Sequence, residues 1–190
     1  MLKETVEDSY HRLIAPAIER EIRNELTEKA EDGAIEVFGK NLHQLLMQPP
    51  IAGKVVLGWD PAFRTGCKLA VVDPTGKVIG TTVIYPTAPT TPQKIKASKD
   101  LLKKIIPKYH ISLISLGNGT ASRESEQFIV ELLKAIPEEK VQFVIVNEAG
   151  ASVYSASKLA SEEFPNFDVG QRSAASIARR LQDPLAELVK

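Results

Sequence analysis

The sequence is poor in the residues that usually bind metals or form cross-links. Its 190 residues include one cysteine, Cys67, which excludes an internal disulfide and a cysteine-based metal cluster. The three histidines, His11, His43 and His110, are scattered without the spacing of zinc ligands. No apolar run approaches the roughly 18 residues of a membrane span, and the N-terminal MLKETVEDSYHRL lacks the apolar stretch of a signal peptide. These absences predict a cytoplasmic protein with no membrane partner.

The chain also has no net charge. Lys and Arg number 24, and Asp and Glu number 24. The first 50 residues carry 6 basic and 10 acidic side chains, and the remaining 140 carry 18 basic and 14 acidic ones. Because nucleic-acid affinity comes mainly from phosphate neutralisation, a chain this neutral is predicted to be a poor binder by itself.

Residues 1–50 show the pattern of a helical arm. Apolar side chains recur three or four residues apart over 4–31, and Pro16 is predicted to kink this helix or to begin a second one. Gly33 is predicted to end it, with another helix over 34–47 before Pro49-Pro50. Such an arm is too small for its own core, so its apolar stripe is expected to be covered by another surface. The stripe consists of Val6, Tyr10, Leu13, Ile14, Ile18 and Ile22.

Residues 51–190 change to the pattern of an α/β domain. Apolar runs over 55–59, 67–73 and 77–86, the last two joined by Pro74-Thr75-Gly76, predict an antiparallel meander. The predicted elements that follow alternate between helix and strand: helix 94–106, strand 112–116, helix 122–136, strand 141–146, helix 152–163 and helix 171–181. A further helical region is predicted to start at about 183, with Asp183 as its N-cap. This order predicts an RNase H-like mixed five-stranded sheet with helices on both faces, preceded by the all-α arm.

Two acidic residues stand at the ends of predicted strands. Asp60 ends the first strand within VVLGWDPAFRTG, and Glu148 follows the fifth within VNEAGASVYSAS. Carboxylates at strand ends can hold Mg²⁺ against a phosphodiester. Structural roles are the alternatives: Asp60 would cap the Pro61–Gly66 turn, and Glu148 would interact with the amino end of the next helix. We expect Asp60 and Glu148 to approach each other, on the view that both end adjacent strands.

A glycine-containing loop and a basic helix could contact nucleic acid. In LGNGTASRESE, Thr120 or Ser122 is predicted to cap the following helix, and Asn118 and Thr120 could contact phosphate. Residues 94–108 carry six lysines and one acid. Lys96, Lys99 and Lys103 share a helical face that is either solvated or in contact with a nucleic-acid backbone. Trp59 and Phe63 are expected in the core rather than in a base-stacking platform.

Four segments together resemble one family. VVLGWDPAFRTGCKLAVVD, GNGTASRE, NEAGASVYSASKLA and RSAASIARRLQDPLAELVK, in this order, are similar to the YqgF-like domain of the Tex transcription accessory proteins. YHRLIAPAIEREIRNELTEKAE resembles the helical segment that precedes this domain in the family. The resemblance implies a multidomain cytoplasmic protein that acts in transcription and binds nucleic acid. It places a helix-hairpin-helix region and an OB-fold RNA-binding domain beyond Lys190.

The resemblance also implies a degenerate nuclease site. YqgF and RuvC-type relatives cut with acids after the first, fourth and fifth strands and on the last helix. Asp60 and Glu148 match two of these, whereas Asn118 follows the fourth strand, and Ser173 or Ala174 occupies the position on the helix. Two carboxylates are too few to fix two Mg²⁺ ions about 4 Å apart, so no catalytic residue, no cofactor and at most one weakly bound Mg²⁺ or Mn²⁺ ion are expected.

Three hypotheses about function follow. The favoured one is a scaffold domain in transcription, associated with nucleic acid mainly through domains outside this chain. The alternative is an active Mg²⁺-dependent nuclease of the Holliday-junction-resolvase type. An actin-like ATPase or sugar kinase shares the opening strand–turn–strand, but it would need a second glycine-rich phosphate loop and an adenosine motif, neither of which is present.

Overall fold

The computed structural model describes residues 2–190 and divides the chain into two compact units. One unit ends at Met47, and the other spans Gln48–Lys190. The predicted boundary lay three residues later, between residues 50 and 51. Within residues 2–190 we find no helix whose length and apolar character would let it cross a membrane.

The first unit is helical almost throughout. Helix α1 (Leu2–Ser9) leads through a π-helical turn at Tyr10–Ile14 into α2 (Ala15–Leu46). Pro16 lies in the first turn of α2, where its missing N–H is tolerated, as predicted. The predicted stop at Gly33 is wrong, because α2 continues through it. An exposed glycine costs a helix only about 1 kcal/mol, and the helix formers on both sides outweigh it.

The apolar stripe of the arm is solvent-accessible. Its six side chains are at least 47% exposed, and Val6 is 64% exposed. The surface expected to cover them therefore stays a prediction.

The second unit contains the five strands. They are β1 (Val56–Asp60), β2 (Cys67–Val72), β3 (Val78–Ile84), β4 (Leu113–Gly117) and β5 (Gln142–Val146). Their order in the sheet is β3-β2-β1-β4-β5. Strands β1 to β3 pair antiparallel, and β4 and β5 add in parallel beyond β1. The predicted RNase H-like fold with a mixed five-stranded sheet is confirmed.

Two tight turns set the meander. Gly66 has φ +75°, which favours glycine, and brings the chain back into β2. Between β2 and β3 the Asp73 carboxylate accepts from the backbone N–H groups of Thr75 and Lys77, at 2.8 and 3.1 Å. This is the expected turn chemistry.

Helices cover both faces of the sheet. Helix α3 (Pro92–Tyr109) and α4 (Ser122–Lys134) pack over the larger core, which includes Trp59. Helix α7 (Val169–Gln182) packs on the opposite face. It lies so close to β1 that a Cβ on Gly58 would stand 2.0 Å from the Ala174 carbonyl oxygen.

The remaining helices differ partly from prediction. The single helix predicted over 152–163 is two helices, α5 (Ala151–Ala156) and α6 (Lys158–Glu163). The break falls at Ser157, whose side chain caps α6 by accepting from the Ala160 N–H at 3.2 Å. Asp183 caps α8 (Pro184–Leu188) as predicted.

The predicted cap of α4 is wrong. Neither Thr120 nor Ser122 caps this helix, because its N-cap is Ala121, in a left-handed conformation and without a side-chain hydrogen bond.

Candidate functional site

Asp60 and Glu148 line one small cavity at the carboxyl edge of the sheet. The cavity has a volume of about 140 Å³, and α5 and α7 supply the rest of its wall. The further lining residues are Ala151, Ser152, Ser155, Val169, Gly170 and Ser173. The predicted approach of the two acids is confirmed, but the reason given for it is wrong, because β4 lies between β1 and β5.

Glu148 reaches the cavity across the end of β4, which two glycines leave open. A Cβ on Gly117 would stand 2.2 Å from Glu148 Oε2, and a Cβ on Gly119 would stand 1.6 Å from Oε1. The Glu148 carboxylate thus occupies the space that side chains at these two positions would fill. The alternative prediction was that the Glu148 side chain interacts with the amino end of the following helix. The contact there is made by the Glu148 backbone carbonyl, which accepts from the Ala151 N–H at 2.9 Å.

Three hydrogen bonds hold the loop that carries Glu148. Asn118 Oδ1 accepts from the Glu148 N–H at 3.1 Å, and the Asn118 N–H donates to the Val146 carbonyl at 3.0 Å. The buried Arg180 on α7 donates from Nη1 to the Asn147 carbonyl. The backbone of Glu148 is therefore fixed from β4 and from α7 together.

Asp60 is partly buried, and burial affects the pKa of its side chain. The pKa of Asp60 is raised to about 6, mainly by burial; the nearby Ser173 hydroxyl and the Lys68 ammonium act to lower it, and the Glu148 charge acts to raise it. The alternative role of Asp60 as a cap finds no support, since no hydrogen bond joins its side chain to the Pro61–Gly66 turn within the described part of the chain.

The polar groups around the two acids are incompletely paired. Glu148 Oε2 and Arg180 Nε are both buried, and neither has a hydrogen-bond partner among residues 2–190. Burial lowers the pKa of Arg180, and the charges of Glu187 and Glu148 oppose that shift. A buried carboxylate oxygen without a donor can accept from a ligand or bind a cation.

The positions that would complete a nuclease site carry no acid. Ser173, on the last long helix, lines the cavity and faces Asp60, while Ala174 is buried against the sheet. Asn118 is exposed and is engaged with the backbone of Glu148. Among residues 2–190 no group of three or more His, Cys, Asp and Glu side chains has the arrangement of a metal site.

The structure does not place the predicted nucleic-acid residues in the cavity wall. Lys99 is paired with Glu131 of α4 at 2.7 Å and lies over the Phe128 ring. Lys96 and Lys103 are exposed on α3, and Thr120 is exposed in the loop before α4. Trp59 is fully buried, as predicted, and Phe63 is partly buried.

Sequence reasoning missed two basic residues at the site. Lys68 packs its stem against Gly170 and donates from Nζ to the carbonyl oxygens of Thr65 and Gly66, at 3.0 and 2.8 Å. Arg180 is buried between α7 and the Glu148 loop. Both residues lie in segments that carry the family resemblance, but neither belongs to a motif that indicates a chemical role. Two adjacent arginines, Arg179 and Arg180, on an amphipathic helix suggest two exposed charges. Only the tertiary packing shows that Arg180 is the buried one of the two.

Comparisons with known proteins place the chain in a family. Residues 54–182 match the family model described as the Tex protein YqgF-like domain. A Bacillus subtilis (strain 168) protein described as "Uncharacterized protein YdcI" is 64% identical over all of this chain and 26% of its own length. The Neisseria gonorrhoeae "Transcriptional accessory protein Tex" is 45% identical over all of this chain and 24% of its own length. The human "S1 RNA-binding domain-containing protein 1" is 42% identical over all of this chain and 19% of its own length.

A RuvC structure is among the solved structures that match the chain. It is Thermus thermophilus RuvC in complex with a Holliday junction substrate, with a TM-score of 0.49 and 14% identity over 72% of this chain and 96% of that one. The chain spans about a quarter or less of the length of the relatives named above. On the family match and these identities, the chain belongs to the Tex family and contains its YqgF-like domain.

Proposed function

We propose that this chain acts as a nucleic-acid-associated scaffold in transcription and that its RNase H-like site is degenerate. One observation carries the proposal: the cavity at the strand ends contains only two carboxylates, and a serine faces them from the last long helix. Two-metal catalysis needs several carboxylates to neutralise and space two cations about 4 Å apart. Asp60 and Glu148 supply half of that set.

The charges inside the site also support a non-catalytic role. A proton competes with a cation for Asp60 as the pH falls towards the raised pKa of this group, about 6. Lys68 has its ammonium hydrogen-bonded to a loop backbone, so that group is already engaged. Under this proposal the cavity binds at most one Mg²⁺ or Mn²⁺ ion, and weakly.

The names of the relatives support the assignment to transcription and nucleic acid. One is described as a transcriptional accessory protein, and another as containing an S1 RNA-binding domain. We propose that nucleic acid and the transcription machinery are the partners of the longer proteins and that this region positions their other domains.

A cleavage assay tests the proposal. The chain is incubated with Mg²⁺ or Mn²⁺ and with branched and linear DNA and RNA, beside a variant carrying Asp60→Asn and Glu148→Gln. We expect no cleavage above that of the double variant. Cleavage that the wild-type chain performs and the double variant lacks would establish the alternative, an active metal-dependent nuclease of the resolvase type.

A metal titration gives an independent test. Mn²⁺ binding is followed by calorimetry with wild type, with the same double variant and with Ser173→Asp, which adds a carboxylate to the cavity wall. We expect weak binding of one ion at most, its loss in the double variant, and tighter binding in Ser173→Asp. Two tightly bound ions in the wild-type chain would overturn the degenerate site.

A further inference from the structure

An asparagine followed by a glycine stands at the end of β4, beside the candidate site. Asn118 is exposed, and Gly119 follows it in the loop before α4. Only glycine fits at position 119 without displacing a neighbour, because a Cβ there would stand 1.6 Å from Glu148 Oε1. The fold thus keeps the least hindered of all residues directly after Asn118.

The groups needed for an intramolecular reaction are available in this loop. The Gly119 N–H has no hydrogen-bond acceptor within residues 2–190, so the nitrogen that would attack is not tied to a carbonyl. Asn118 Oδ1 accepts from the Glu148 N–H at 3.1 Å. A donor on that oxygen polarises the side-chain carbonyl and stabilises negative charge developing on it during attack, as an oxyanion-hole donor does.

We propose that Asn118 is a site of spontaneous deamidation that adds a carboxylate to this edge of the sheet. The Gly119 backbone nitrogen, losing its proton to water, attacks Asn118 Cγ and forms a C–N bond. The Cγ–Nδ2 bond breaks, and the amide leaves as ammonia, giving a five-membered succinimide. Water then opens the ring at either carbonyl, which yields aspartate or isoaspartate at position 118.

The reaction adds a negative charge after the fourth strand, at the position where the family resemblance implies an acid that this chain lacks. Aspartate at 118 can still accept from the Glu148 N–H through a carboxylate oxygen, so the loop contact survives. It adds one negative charge beside the Glu148 loop, and hard divalent cations bind more tightly as carboxylates are added. This consequence rests on the proposed function, in which lack of acids limits cation binding. The deamidation itself does not depend on it.

Peptide mass mapping of the aged chain tests the chemistry. The complete chain is held folded at mildly alkaline pH, and the conversion of amide to acid is followed at each asparagine. Asn166 is a matched control, since it is exposed in a turn but is followed by the bulky Phe167. Asn147 controls for proximity to the site, because Glu148 follows it. We expect Asn118 to lose its amide well before both controls. An Asn118 amide that lasts as long as that of Asn166 would overturn the proposal.

Variants test the consequence separately. Mn²⁺ titration compares unaged wild type with Asn118→Asp, and Asn166→Asp serves as the control for an added charge elsewhere. We expect binding about tenfold tighter in Asn118→Asp and unchanged in Asn166→Asp. Equal binding in all three would remove the link to cations while leaving the mapping result intact. Metal-dependent cleavage by unaged wild type would instead contradict the proposed function.

Discussion

Asp60 is held in a surrounding that favours its protonated form. Its pKa of about 6 lies above the usual value of 3.8, chiefly because the side chain is buried. A group with a raised pKa in the folded state binds its proton more tightly there than in the unfolded state. The stability it contributes is therefore fully present below pH 3.8 and is lost as the pH rises through 6.

Replacing Asp60 with asparagine should stabilise the second unit at neutral pH. The gain has an upper limit of about 3 kcal/mol, because the cost of ionising a buried carboxylate disappears. Denaturant unfolding of wild type and Asp60→Asn at pH 7.5 and near pH 4 measures it. The difference in the free energy of unfolding should shrink at the lower pH. A variant less stable than wild type at both pH values would show that this carboxylate is not under electrostatic strain.

The Glu148 carboxylate occupies the space that a side chain at position 119 would need. Substitutions at these two positions should therefore have non-additive effects on stability. Gly119→Ala forces its methyl group against the Glu148 carboxylate and should cost about 1 kcal/mol of stability, the low end for overpacking, because the displaced atoms are the far end of a flexible side chain. In a Glu148→Ala background the methyl group enters vacated space, so most of this cost should vanish. A double-mutant cycle with thermal or denaturant unfolding measures the coupling, expected to be about 1 kcal/mol. Additive effects would mean that the two side chains do not compete for one space.

Helix α7 is the element that joins the site to the core. It contributes Ser173 to the cavity and Arg180 to the loop that carries Glu148, while its small residues lie directly on β1. The approach is possible because Gly58 has no side chain. The neighbouring Glu163 fixes α7 from α6 through an ion pair with Arg179. Its pKa is about 2: burial acts to raise it, but hydrogen bonds from Tyr154 and Arg179 prevail.

Gly58→Ala should separate α7 from β1. The added methyl group would stand 2.0 Å from the Ala174 carbonyl oxygen and 2.8 Å from Ala178 Cβ, both on a packed helix that cannot yield locally. We expect a loss of about 3 kcal/mol, at the upper end for overpacking. Gly33→Ala is the matched control, because nothing lies within 4 Å of that position. It should leave unfolding of the second unit unchanged and slightly increase helicity by circular dichroism. Wild-type stability of Gly58→Ala would contradict the close approach.

At the scale of the whole molecule, charge limits what the chain can bind. Its net charge is zero, and Lys99 in the basic helix is already paired with Glu131. Aromatic side chains near those lysines lie under the lysine ammonium groups rather than being displayed for base stacking. Both the phosphate contribution and the stacking contribution to nucleic-acid affinity should therefore be small.

We expect this chain to bind nucleic acid no more tightly than about 10⁻⁴ to 10⁻⁶ M near physiological salt, with affinity falling steeply as salt rises. Fluorescence anisotropy with labelled single-stranded and double-stranded RNA and DNA measures this. Lys96→Ala with Lys103→Ala should weaken the binding further if the exposed face of α3 provides the contacts. Nanomolar affinity of the wild-type chain would be inconsistent with the proposed scaffold role.

The sequence alone determined the order of helices and strands along the chain and the two acids. Turn residues and the change from strand to helix periodicity are local properties, so they predicted the meander, the mixed five-stranded sheet and the positions of Asp60 and Glu148 at strand ends. They failed where local signals compete. Gly33 did not end α2, since flanking helix formers outweigh one glycine, and Ser157 divided a predicted helix because its hydroxyl caps the next one.

Only the tertiary structure decided how the site is assembled. The Glu148 side chain lies over Gly117 and Gly119 because β4 lies between β1 and β5. No local sequence pattern encodes that strand order. Arg180 of α7 is buried, and the pKa of Asp60 is raised. Both properties likewise depend on how the helices pack against the sheet. Desolvation and steric exclusion arise from residues far apart in sequence, and for that reason they become visible only when the chain is folded.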